Sequence, residues 1–221
     1  MKSQMTPSSV QPTHQPDPKR WLMLAIVLAA TLIAVLDTFI VNVAIPSIEH
    51  ELHASFAQIQ LIVAGYTLSY AVLLVTGGRL GDLYGRKRLF LLGVGGFTVF
   101  SALCGFAPNA ILLIAFRVLQ GGAAALMFPQ ALSFIQVTFE PAERTRAFGY
   151  YTAVTGLGSI LGQVLGGFFL AANLFNLGWR SIFLVNVPIG ILALIAAFPL
   201  LRESRKPEVA NLDMGGVALL I

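Results

Sequence analysis

The chain has 221 residues, of which 57% are hydrophobic and 11% charged, with a formal net charge of +4 and a mean hydropathy of +0.80. Soluble domains are about 25% charged. A chain this apolar could not cover itself with polar surface, so a soluble globular enzyme and a disordered polymer are both set aside. The apolar runs are about twice the roughly 10-residue segments of a membrane barrel and do not alternate, so the spans are expected to be helical.

Residues 1–20 carry Pro7, Pro12, Pro16 and Pro18 in a polar filling and read as a disordered tail. The apolar run after them exceeds the 7–15 residues of a signal-peptide core, so no cleaved signal is expected. Lys19, Arg20 and Trp21 form the flank of a helix that enters a membrane from the cytoplasm. Six full spans follow, at about 21–44, 58–79, 89–107, 110–136, 147–172 and 181–201. Residues 202–211 form a loop, and 212–221 begin a seventh apolar run. At about 1.5 Å per residue that run reaches roughly 15 Å, half of a bilayer core. The expectation is a fragment of a longer transporter, cut within a span.

Every Lys and Arg except Arg117 and Arg180 falls in the tail or in 79–88, 144–146 and 202–206. The other connections, EHELHASF, APNA and NLFNLGW, carry neither. This alternation makes the tail and the 202–211 loop cytoplasmic, and it accounts for the basic pI without any nucleic-acid partner. The one cysteine, Cys104, lies in an apolar run. Glu49, His50, Glu51 and His53 read as a solvated connection rather than a metal site. No P-loop is present, and GVGGF at 93–97 fits close helix packing better than phosphate binding. No cofactor, metal site or catalytic constellation is expected, so transport would draw on an ion gradient.

Two charges stand where a membrane disfavours them. Asp37 lies in ATLIAVLDTFIVNVAIP and Arg117 in ILLIAFRVLQGG. An acid at a span centre costs roughly 2.5–3.5 kcal/mol on insertion scales. Counted along antiparallel spans, each lies about seven residues from the outer end, roughly 10 Å deep. They can form a static ion pair, or share a proton or substrate site. Burial and a nearby arginine act on a carboxyl in opposite senses, so small movements would change its protonation.

GGRLGDLYGRKR at 77–88 reads as a short loop in which Gly78 and Gly85 allow turning and Asp82 either caps the following turn or meets a helix N-terminus, with Arg86 and Lys87 following. Gly158, Gly162 and Gly166 lie four apart, so another helix can approach their face, either statically or as a sliding contact. Thr38, Asn42, Tyr66, Tyr70, Gln120, Gln130, Gln163 and Asn186 are polar groups at membrane depth. Each either faces a cavity or bonds a neighbouring helix.

The 77–88 stretch resembles the loop signature of the major facilitator superfamily, G-x-x-x-D-[RK]-x-G-[RK]-[RK], with Leu83 where a basic residue is usual. RVLQGGAAA at 117–125 resembles that family's fourth-span motif. Gly149, Gly158, Gly162, Gly166 and Gly167 match its antiporter motif, with Gln163 in place of the proline. LDTFIVNVAIP at 36–46 and WRSIFLVNVPIG at 179–190 are similar to motifs of the fourteen-span drug:proton antiporter branch. The resemblance implies an all-α integral membrane fold, here a six-helix N-terminal bundle plus the start of a seventh helix.

It further implies export of drugs or other amphiphilic small molecules in exchange for protons. Asp37 and Arg117 would be the coupling site, and Gly78, Asp82, Gly85, Arg86 and Lys87 a gating segment. Its implied setting is a bacterial inner membrane. Its implied partners are the lipid bilayer, a small-molecule substrate, protons, a second six-helix bundle and a periplasmic adaptor protein. Export or import of an endogenous metabolite, and a non-transporting truncated product, are the alternatives.

Overall fold

A computed structural model of the chain describes residues 17–173 and 176–204. The expectations for residues 1–16, for 205–211 and for a seventh span at 212–221 lie outside the described residues. Among the described residues the chain is all helical: α1 Arg20–Leu52, α2 Phe56–Tyr84, α3 Arg86–Gly105, α4 Ala110–Thr138, α5 Pro141–Ala172, α6 Ser181–Leu184 and α7 Asn186–Leu200. A 3-10 turn, Gly178–Arg180, leads into α6. α1 to α5 and the stretch Gly178–Leu200 are each long and apolar enough to cross a membrane. There the backbone has no water to bond, and a helix satisfies every interior N–H and C=O within itself.

The sequence around each end explains where the helices stop. α1 runs on through the polar EHEL segment, which has no breaker, to His53 in the left-handed region (φ 47°). The 49–53 connection is therefore helical up to Leu52. Ser55 and Gln58 cap α2 reciprocally, at 3.3 Å and 2.8 Å. Asn109 caps α4 through the Leu112 amide at 2.9 Å. Pro141 opens α5, and Glu143 sits in its first turn.

The 77–88 stretch is not the loop its glycines suggest. α2 continues through it to Tyr84, and only Gly85 (φ 107°) separates it from α3. Gly78 does not turn the chain. A Cβ there would lie 3.5 Å from Pro129 on α4, and at Gly77 and Gly81 it would overlap the Ala125 carbonyl and the Gln130 amide. These glycines let α2 and α4 approach. Nor does Asp82 cap a helix; it pairs with Arg86 four residues on, at 2.8 Å.

α1 lies at the centre, with 67% of its most apolar window buried, against 22% for α2 and 17% for α5. α2 packs along α4, α4 against α3, α1 against α5, and α7 against α3 and α1. Gly158, Gly162 and Gly166 form the α5 face on α1, where added Cβ atoms would meet Val35, Leu36 and Ile40 at 3.0, 2.8 and 3.0 Å. On the outside, Leu68, Val75, Leu92, Ile160, Val164 and Phe198 are exposed. Lipid is the solvent that such a surface fits.

Candidate functional site

Asp37 on α1 and Arg117 on α4 are 0% and 1% exposed and form an ion pair. Gln120 stands one turn beyond Arg117 and touches both charges. Its Oε1 accepts from an Arg117 terminal nitrogen at 2.8 Å, and its Nε2 donates to Asp37 Oδ1 at 3.1 Å. Asn186, the first residue of α7, donates through Nδ2 to the same Oδ1 at 2.9 Å. It also donates to Ser101 Oγ on α3 at 3.1 Å, and Ser101 donates to the Phe183 carbonyl on α6 at 2.9 Å.

Arg117 has supports besides the carboxylate. Its Nε donates to the Ile62 carbonyl on α2 at 3.3 Å. Its guanidinium lies 4.2 Å from the centre of the Tyr66 ring and 5.6 Å from that of Phe183. The Tyr66 hydroxyl donates back to the Ala34 carbonyl at 3.3 Å. The thiol of Cys104 donates weakly to Gln120 Oε1 at 3.6 Å. Residues of six helices thus join one network around the ion pair, and α4 and α7 supply the side chains that bond the carboxylate. Buried charges are tolerated only when the geometry is good and the remaining polar atoms are met. Here Asp37 accepts from Arg117, Gln120 and Asn186 together. Chemically the cluster can hold a buried charge and links it by hydrogen bonds to several helices.

The other expected site residues lie elsewhere. The Thr38 hydroxyl bonds its own helix at Ala34, 2.9 Å away. Asn42 and Gln163 face outward. Tyr70 is half-buried, edge-on to Phe128 at 5.2 Å, so its helical spacing from Tyr66 does not bring it to the cluster. Gln130 donates to the Gly77 carbonyl at 2.8 Å and ties α4 to α2. Gly149 and Gly167 have open space where a Cβ would stand.

Gly78, Asp82, Gly85, Arg86 and Lys87 gather at the basic end of the bundle, at the junction of α2 and α3. Glu203, which returns there after α7, accepts from the Lys87 amide at 3.2 Å and lies 3.7 Å from Arg88. It thereby places a carboxylate at the N-terminus of α3. The Ser204 carbonyl accepts from the Arg86 amide at 3.1 Å. At the same end Arg20 grips Glu143 through two bonds of 2.9 and 2.8 Å, and this holds the Glu143 carboxyl below the usual glutamate range. A cavity of about 500 Å³ opens beside these groups, between Phe90, Phe134, Leu201, Arg144 and Glu140.

Ser101, Cys104 and Glu203 are site residues that sequence reasoning missed. Ser101 and Cys104 stand three apart in FTVFSALCG, a weak sign that small polar side chains share a helix face. Glu203 carries no local sign of its long-range contact.

An all-helical bundle with lipid-facing apolar flanks and a sealed ion pair defines a multi-pass membrane protein. The Major Facilitator Superfamily profile matches residues 27–219, and the chain belongs to that family. It is 44% identical over 225 residues to the "Probable actinorhodin transporter" of Streptomyces coelicolor, covering 97% of this chain and 39% of that protein. It is 42% identical to a puromycin resistance protein of Streptomyces alboniger, covering 92% and 40%. It is 38% identical to the "Multidrug resistance protein Stp" of Mycobacterium tuberculosis, covering 84% and 34%. The chain spans about two fifths of the length of these curated relatives or less. Among solved structures, an inward-facing, occupied bacterial homologue of the lysosomal transporter Spinster is similar in fold. It has a TM-score of 0.77 and 23% identity over 86% of this chain and 46% of that one.

Proposed function

We propose that residues 21–201 are the N-terminal bundle of a proton-coupled carrier that exports drugs or other amphiphilic small molecules, with Asp37 as its proton site. The relatives' names speak for export: several denote resistance to, or export of, an antibiotic. Proton coupling rests on the asymmetry of the buried pair. If Asp37 takes a proton, Arg117 keeps the Ile62 carbonyl, Gln120 Oε1 and the Tyr66 ring. These neutral partners offset part of the cost of leaving Arg117 without its counter-charge. The basic end faces the cytoplasm, as the Lys/Arg bias favours. Substrate binds between this bundle and a second one, where carriers of this kind place their sites. A periplasmic adaptor and a bacterial inner membrane belong to this reading.

A second reading is export of a single compound. Relatives named for actinorhodin, tetracenomycin C, puromycin and cephamycin favour it over a broad drug range. The test is efflux of ethidium from cells expressing the complete carrier. Asp37→Asn should abolish gradient-driven efflux at normal expression. Unchanged efflux would make Asp37 structural.

A further inference from the structure

The WRSIFLVNVPIG segment supplies Asn186, whose hydrogen bonding is incomplete. It is 0% exposed, both of its bonds go through Nδ2, and its Oδ1 is buried with no partner among the described residues. It stands where the hydrogen-bond ladder of the sixth span weakens: α6 ends at Leu184 and α7 begins at Asn186, with Val185 between them still in the helical region (φ −62°, ψ −28°). Its two partners are Asp37 Oδ1 and Ser101 Oγ, and Ser101 in turn holds the Phe183 carbonyl just before that junction.

Around Asp37 the side-chain partners are donors. Arg117, Gln120 Nε2 and Asn186 Nδ2 all suit a carboxylate. A carboxylic acid has an O–H of its own and needs an acceptor. Gln120 Oε1 is already taken by Arg117 and Cys104. The free acceptor at the site is Asn186 Oδ1. A half-turn of that amide exchanges its oxygen and nitrogen, which brings Oδ1 to where Nδ2 now stands, within reach of both Asp37 and Ser101. The exchange trades one orphaned amide group for another, so the carboxyl proton decides which orientation holds. The titratable or charged groups facing Asp37 are Arg117 on α4, Tyr66 on α2 and Cys104 on α3. Arg117 and Cys104 donate in this network, and the Tyr66 hydroxyl, which donates to the Ala34 carbonyl, makes no bond to Asp37.

We propose that Asn186 is a positioning residue that reads the protonation state of Asp37: protonation turns its side-chain amide, and the turned carbonyl draws the Ser101 hydroxyl away from the Phe183 carbonyl at the α6–α7 junction. The proton comes from hydronium in the solvent, leaving water, and stays on Asp37; no other covalent bond is made or broken. The inference rests on Asp37 being the proton site of the carrier.

The test is an infrared pH titration of the complete carrier carrying side-chain ¹³C-asparagine. The Asn186 carbonyl band is assigned by its loss in Asn186→Leu, and the protonated carboxyl band by its loss in Asp37→Asn. On acidification the carboxyl band should appear, and the Asn186 band should move in step to lower frequency as its carbonyl gains a bond. In Asp37→Asn the Asn186 band should stay still. Ser101→Ala should leave both bands titrating together but flatten the pH profile of ethidium efflux. A carboxyl band that appears while the Asn186 band stays fixed overturns the reader and leaves the proton site standing. A carboxyl band that never appears overturns both. An unchanged efflux profile in Ser101→Ala overturns the step to Phe183.

Discussion

At the scale of residues, the protein separates two kinds of ion pair by their access to water. Asp37–Arg117 is sealed, and removing one partner of a buried pair typically costs about 3–5 kcal/mol because the other charge is stranded. The extra supports of Arg117 should blunt that cost for Asp37→Asn. Arg20–Glu143 is part-exposed, with side chains 17% and 29% accessible, and ties the start of α1 to that of α5. Glu143 titrates below its usual range because Arg20 stabilises its charged form. Its contribution is therefore complete above about pH 4.3, the ordinary glutamate value, and is lost as pH falls through the lowered folded value. Glu143→Gln should accordingly melt below the parent at neutral pH and converge with it in strong acid. A gap that persisted in acid would mean the glutamine acts through packing. Asp37 and Arg117 were legible as misplaced charges at one depth. Gln120 and Asn186 stood out as polar groups in apolar runs and within the RVLQGGAAA and WRSIFLVNVPIG segments, and Ser101 only through its weak spacing with Cys104, because a serine in a span is commonplace.

At the scale of elements, glycine is the residue whose meaning changed most. In sequence, GGRLGDLYGRKR reads as a flexible turn, yet three of its glycines lie inside α2 against α4. Composition does not distinguish a turn from a close approach, because both need a missing Cβ. On α5 the distinction becomes measurable. A Cβ on Gly162 would lie 2.8 Å from the Leu36 carbonyl and 3.0 Å from Phe39, whereas Gly167 has nothing within 4 Å. Gly162→Ala should destabilise the bundle by about 1–3 kcal/mol through overpacking. Gly167→Ala should stay within about 0.5 kcal/mol. Thermal melting of the two variants in detergent checks this, and equal melting points would contradict the α1–α5 contact. The break after Leu184 did have a sign in the sequence: Pro188 has no N–H to bond the Leu184 carbonyl four residues back. The helix ends at Leu52 and Tyr84 overran the expected 44 and 79 because hydropathy marks the membrane and not the helix.

At the scale of the whole molecule, the basic end and the opposite end differ enough to set an orientation. The sole cysteine, Cys104, is buried, so labelling has a quiet background. An impermeant thiol reagent added outside should modify His50→Cys and spare Glu140→Cys, both positions being exposed at opposite ends of the bundle. The reverse pattern would invert the topology. α1, which bears the proposed proton site, is the most enclosed of these helices, while α2 and α5 leave most of their apolar windows uncovered. On the proposed reading, a proton taken up at Asp37 would be held at the centre of the bundle, and its effect would have to pass through packed helices to reach a substrate. Proton release on substrate binding reads that link directly. When ethidium is added to the purified, complete carrier in weakly buffered solution, the parent should release protons. Asp37→Asn should bind the dye and release none. Proton release of equal size from Asp37→Asn would contradict the account.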